Sequence, residues 1–263
     1  MNGKIPVWYT RTGMEVKILA DIDNRKASLL YRLREEKQIK LKGGLYHQTQ
    51  IKLAYNSNHI EGSRLTEDQT RYIYETNTIG VKEEPVNIDD IIETVNHFQC
   101  FDYILDCAEE ALTEGIIKKI HFILKSNTSD SRLEWFKTGE YKQRPNMVGG
   151  LETTLPGNVE NEMKRLLYAY RKKDIITFED IAEFHYNFER IHPFQDGNGR
   201  VGRLVMFKEC LRNNIVPFIV NEQHKFYYYR GLKEYNNEKG YLIDTLLSAQ
   251  DEYMELLEYF GQI

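Results

Sequence analysis

Cysteine is scarce in this 263-residue chain. Its three cysteines, Cys100, Cys107 and Cys210, are an odd number, widely spaced and without a C-x-x-C pair. That argues against a disulfide framework or a zinc knuckle and for small buried hydrophobes in a reducing compartment. Long apolar runs are missing too. The longest, Ile215 to Val220, contains Pro217 and falls far short of the eighteen or so residues a membrane helix needs. The opening stretch from Met1 to Arg11 lacks the apolar run and small-residue cleavage site of a signal peptide, so a cytoplasmic, soluble protein is expected. An excess of basic residues is absent as well: 35 Lys and Arg face 40 Asp and Glu, a net charge of −5. No nucleic-acid partner is expected, because such binding draws its affinity from neutralising phosphates. Proline occurs only six times and mostly between segments that read as helices. No fixed-period repeat or low-complexity tract interrupts the chain.

What is there is helical. With 41% hydrophobic and 29% charged residues, the composition suits a globule with a core. Apolar periodicity places helices at about 20–40, 45–62, 66–76, 89–110, 113–126, 158–174, 177–191, 199–214, 224–238 and 241–260. In the segment 177–191, Phe178, Ile181, Ala182, Phe184, Phe188 and Ile191 recur at steps that line one face, behind a capping-box-like Thr177-x-x-Asp180. The stretch 139–156 reads differently. Gly149-Gly150 at its centre is hairpin turn chemistry, and a lone hairpin must rest on a larger body. The expected class is all-α, one helical body with a small β-hairpin flap.

The chemistry concentrates in His192-Pro-Phe-Gln-Asp-Gly-Asn-Gly-Arg-Val-Gly-Arg203. Pro193 should end one helix at His192 by pushing it toward extended geometry, and a new helix should open near Asn198. Gly197 and Gly199 permit turn geometry and close approach of a ligand. The first amides of the new helix, with its positive dipole end, make an anion site. Arg200 and Arg203 project on one side of its first turn. Asp196 offers a hard oxygen of the kind that holds Mg²⁺ beside substrate phosphates, and His192 can accept a proton near neutral pH. Together these are the parts of a phosphoryl or nucleotidyl transfer site.

This run resembles the signature of the Fic family, H-x-F-x-[D/E]-G-N-G-R-x-x-R, with His192, Phe194, Asp196, Gly197, Asn198, Gly199, Arg200 and Arg203 at its fixed positions. The resemblance implies the Fic helical bundle with a flap over the active site, and transfer of AMP from ATP to a Ser, Thr or Tyr hydroxyl of a target protein. It implies that His192 deprotonates that hydroxyl, that Phe194 anchors the loop and that Asp196 binds Mg²⁺. Asn198 and the loop amides would hold the α-phosphate, with Arg200 and Arg203 on the β- and γ-phosphates. Val201 and Gly202 would belong to the same nucleotide-binding turn. Asn146, Met147, Val148 and Gly149 fall where the family carries its flap, which covers the nucleotide and clamps an extended target segment by strand addition. Tyr228, Tyr229 and Asn236 resemble its adenine pocket; the competing reading of this aromatic run is a core helix face.

Upstream, Ser57-Asn-His-Ile-Glu61-Gly62 closes a helix. A glutamate there opposes the macrodipole by about 0.3–1 kcal/mol and is easier to accept opposite a cation. Ser57, four residues earlier, can hydrogen-bond that carboxylate or the terminal backbone. The segment resembles the inhibitory motif [S/T]-x-x-x-E-[G/N] of many Fic proteins, which implies that Glu61 pairs with Arg203 and denies it to the γ-phosphate. The expected organisation is an N-terminal helical region over 1–113 carrying this motif, a Fic core over 114–250 and a helix end over 251–263. Another donor on the same scaffold, removal of AMP, or a silent binding module are the alternatives. Gly199 disfavours γ-phosphoryl transfer, because the Doc-type kinase branch carries Lys there, and the intact His192 and Asp196 disfavour the silent module. The target, the balance of AMP addition and removal, and homodimerisation are left open by the sequence.

Overall fold

The computed structural model describes residues 28–80, 85–148 and 151–263. Ten α-helices account for most of them: α1 (Ser28–Ile39), α2 (Leu45–Ile60), α3 (Glu67–Thr76), α4 (Ile88–Asp106), α5 (Glu114–Lys125), α6 (Pro156–Arg171), α7 (Phe178–Ile191), α8 (Asn198–Arg212), α9 (Lys225–Glu234) and α10 (Gly240–Tyr259). Strands β1 (Met147–Val148) and β2 (Leu151–Glu152) form an antiparallel pair with Met147 opposite Glu152. The hairpin is therefore present, while Gly149 and Gly150 lie outside the described residues, as does the expected helical stretch before Ser28.

Local chemistry sets the helix starts. Thr66 and Gln69 form a reciprocal capping box on α3, as do Thr177 and Asp180 on α7. The side chains of Asn87 and Thr113 accept from the first turns of α4 and α5. Helix α6 begins two residues before its expected start, with Pro156 in its first turn, where a missing N–H costs nothing. Helix α4 stops at Asp106, four residues short of expectation, because Cys107 leaves helical geometry.

Helix α8 is the axis of the bundle. From Asn198 to Leu211 nearly every residue is buried, so it lacks a polar face. It packs on α7, α4, α5 and α2, and the main core runs through Phe101, Ile117, Ile120, Phe188, Val201, Leu204 and Phe207. A smaller core under α3 joins Ala54, Leu65, Ile73 and Phe98. Among the described residues, no helix is long and apolar enough to cross a membrane.

Candidate active site

The site forms where α7 ends and α8 begins. His192 terminates α7 with φ 51° and ψ 63°, in the left-handed region and not the extended geometry expected before Pro193; its N–H closes onto Phe188 O at 2.9 Å. Phe194 is fully buried and stacks face to face on His121, with ring centroids 3.9 Å apart. Asn198 straps the loop shut, accepting from Phe194 N at 2.8 Å and donating to Phe194 O at 2.9 Å. Gly197, at φ 80°, caps α8 in a conformation that favours glycine. His121 ties the loop to α5: its Nδ1 accepts from Gly139 N at 2.8 Å and its Nε2 donates to Asp196 O at 3.2 Å. Burial pushes this imidazole down to about 3, which suits a ring that must accept at one nitrogen.

Two arginines leave the first turn of α8 and meet different partners. Arg200 pairs with the buried Glu93 of α4 and reaches Asp196 Oδ2 at 3.3 Å. Lys125 at the end of α5 completes this cluster, at 2.5 Å from Glu93, 2.6 Å from Asp196 and 3.2 Å from Asp130. Burial would raise the Asp196 carboxyl, but Arg200 and Lys125 outweigh it and hold the group well below the usual carboxylate range. Arg203 reaches instead across to α2, donating to Ser57 Oγ at 3.0 Å, Ser57 O at 2.8 Å and Glu61 Oε1 at 2.7 Å.

His192 is kept neutral. Burial first and the Lys142 cation second push its imidazole down to about 4. Glu189, one turn back on α7, has Oε2 3.9 Å from His192 Nδ1. Burial and the neighbouring Glu61 charge raise the Glu189 carboxyl to about 8, so near neutral pH it is protonated and Glu61 is the carboxylate that answers Arg203.

Residues 111–210 match the Fic/DOC family model. This stretch of the chain is a Fic/DOC domain. The protein adenylyltransferase Fic of Drosophila erecta is 30% identical over 187 residues, 68% of this chain and 36% of that protein. Its Aedes aegypti counterpart is 28% identical over 195 residues, 71% of this chain and 37% of that one. The chain thus spans little more than a third of the length of the curated relatives it matches. Among solved structures, a Fic domain containing signaling protein from Bacteroides thetaiotaomicron is 25% identical with a TM-score of 0.66, covering 89% of this chain and 91% of that one. Fic-1 from C. elegans shares the fold at 20% identity, with a TM-score of 0.68 over 95% and 74% of the two chains.

Set on this Fic fold, several residues hold places other than the sequence implied. Asn198 uses both ends of its amide on Phe194, so it braces the loop. Val201 is fully buried in the core, and a Cβ at Gly202 would sit 2.7 Å from the His185 ring, so these two serve packing and close helix approach. Tyr228 is core as well: its hydroxyl is hydrogen-bonded to His185 Nε2 at 2.6 Å and its ring lies under Arg203, 5.9 Å from the guanidinium. Tyr229 is half exposed and donates to Ile60 O at 3.3 Å, fastening α9 to the end of α2. Asn236 lies on the wall of an open cleft of about 680 Å³ shared with Glu152 to Thr154 and Arg190, a lining that includes neither tyrosine. Ser57 grips Arg203 and not the Glu61 carboxylate. Met147 and Val148 present exposed side chains on β1, while Asn146 is held by Lys142, Thr153 and Phe194.

Sequence reading missed Glu93, Lys125, His121 and Lys142. Two of them left a signal. Glu93 is in phase with the stripe His97, Cys100, Phe101 and Ile104 on α4, and Lys125 with Ile117, His121 and Leu124 on α5. A charge inside an apolar stripe needs a buried partner.

Proposed function

We propose that this protein transfers AMP from ATP to a hydroxyl of a target protein and is held in check by Glu61. The supporting observation is the pairing of Arg203 with Glu61 at 2.7 Å beside an intact signature loop. In the reaction, the target hydroxyl oxygen attacks the α-phosphorus of ATP, the bond to the β-phosphate oxygen breaks and pyrophosphate leaves. The hydroxyl proton passes to His192, whose neutral imidazole is ready to take it. The α8 N-terminal amides and dipole would cradle the phosphates. Arg203, once released, would meet the charge that develops on the leaving group. Asp196 is kept ionised with a side chain 48% exposed, which fits one carboxylate ligand of a Mg²⁺ whose other positions are phosphate oxygens and water. That ion would neutralise phosphate charge.

The relatives named protein adenylyltransferase support this reading. The flap, with Met147 and Val148 exposed, offers strand edges to an extended target segment. The test incubates the purified protein with Mg²⁺ and ATP labelled at the α- or the γ-phosphate. Label retained on protein from the α position alone supports AMP transfer, and γ-label retention would replace it with phosphoryl transfer. His192→Ala should lower transfer by about 10²- to 10⁴-fold, the usual worth of a general base, while ATP binding stays near wild type.

A further inference from the structure

Lys142 lies between α5 and the flap and is buried, 4% exposed. Its Nζ donates to Asn146 Oδ1 at 2.7 Å, to Thr153 Oγ1 at 2.5 Å and to Ile191 O at 3.4 Å. Asn146 precedes β1 and Thr153 follows β2, so the ammonium joins both legs of the hairpin to the last carbonyl of α7. The same segment is sewn to the catalytic loop through its backbone and neighbours. Lys142 N donates to Pro193 O at 2.8 Å, Asn146 Nδ2 to Phe194 O at 3.2 Å and Arg144 N to Gln195 Oε1 at 3.3 Å. Among the described residues, no carboxylate comes within ion-pair reach of Lys142. Burial pushes the amine down to about 8. A buried cation satisfied only by neutral acceptors is costly, and simple flap packing would be served by an apolar residue.

We propose that Lys142 is a positioning residue for the AMP-transfer reaction put forward above. It locks the two flap legs to the end of the His192 helix, so that a target strand added to the flap brings its hydroxyl to His192 in one register. Recognition through main chain alone carries no register of its own. A fixed distance between flap and base supplies it. Lys142 also acts on the base through its charge. The groups that face His192 are Lys142 from the flap segment, Glu189 on its own helix, Glu61 from α2 and Asp196 from the loop. Lys142 is the cation of this set and favours the proton-free imidazole.

The test compares Lys142→Met, which keeps length and loses charge and donors, with Lys142→Arg, both also placed in the Glu61→Gly protein. In Lys142→Met, amide hydrogen exchange over residues 146–153 should accelerate about tenfold with α7 and α8 unchanged. The kcat for α-label transfer should fall about tenfold, with the Kd for ATP little altered. The acid limb of its pH–rate profile should move to higher pH, because losing the cation makes His192 easier to protonate; Lys142→Arg should keep the limb in place. If Lys142→Met fails to fold, Thr153→Val removes one acceptor without touching charge and should loosen the flap in the same way. Unchanged flap exchange in the folded variants overturns the latch. Faster exchange with unaltered kcat and acid limb overturns the positioning role. Absence of α-label transfer from Glu61→Gly itself overturns the reaction reading, and with it Lys142's place in that reaction.

Discussion

Arg200 and Arg203 leave the same turn of one helix, yet they are held in opposite ways. Arg200 sits against Glu93 and beside Lys125, buried charges rooted in α4 and α5, with the half-exposed Asp196 of the loop at the open edge of the cluster. Arg203 is as deeply buried, but its anion comes from the end of a helix: Glu61 caps the C-terminus of α2 and its side chain is 30% exposed. The first arrangement cannot be opened without exposing the core. The second can, because Glu61 can swing into water and recover its hydration. One pairing builds the site, and in the proposed function the other is its gate.

The largest effect that would sharpen this contrast is Glu93→Ala. Removing it takes away the buried carboxylate that Arg200 and Lys125 share and leaves them only the more exposed Asp196 and Asp130; the fold should lose about 3 kcal/mol, seen as a lower midpoint in urea. A midpoint close to wild type would erase the distinction between the two arginines. Glu61→Gly should cost less stability than that, because Arg203 keeps its two Ser57 acceptors, and should raise α-label transfer at least about tenfold, a gain of roughly 1.4 kcal/mol in transition-state stabilisation. Glu61→Gly with Arg203→Ala should lose that gain. If the double variant keeps it, Arg203 is not what Glu61 guards.

A smaller effect is expected from Gly199→Ala. A Cβ at 199 would collide with Glu61 Oε1 and crowd Arg203 Nη1 at 3.0 Å, so it stands in the space that Glu61 and a phosphate would share. Added to Glu61→Gly, it should lower transfer below that of Glu61→Gly alone; an unchanged rate would mean the methyl does not reach the phosphates. The smallest effect concerns pH. His192 falls to about 4 in the folded protein against an ordinary value near 6.5, so the proposed base stays proton-free while pH drops through 6 and takes up a proton only as the pH nears 4. The acid limb of kcat/KM for Glu61→Gly should therefore lie below pH 5. The same shift makes the fold lose stability as pH falls from about 6.5 toward 4, where the unfolded chain takes up the proton first.

The parts legible in the sequence were those written locally. The capping pair Thr177 and Asp180, the hairpin around residues 147–152 and the helix break at His192 depend on neighbours a few residues apart. The signature loop was legible for the same reason. Glu93 and Lys125 were not, because their meaning comes from partners 107 and 71 residues away, Arg200 and Asp196. Tyr228 and Tyr229 show a further limit. They are adjacent, and periodicity cannot tell that one turns inward to His185 while the other reaches out to Ile60. Asn198 shows another, since an amide at a helix start can serve a ligand or its own loop, and sequence does not show that Phe194 engages both ends.

The left-handed backbone at His192 has an evolutionary corollary. A residue with a Cβ pays about 1–2 kcal/mol to occupy that conformation, and glycine pays almost none. His192→Gly should therefore yield a protein that melts higher than His192→Ala while being equally inert. At this position, any library sorted by thermal resilience alone would drift toward glycine. Only the proposed proton transfer gives an imidazole a reason to stand there.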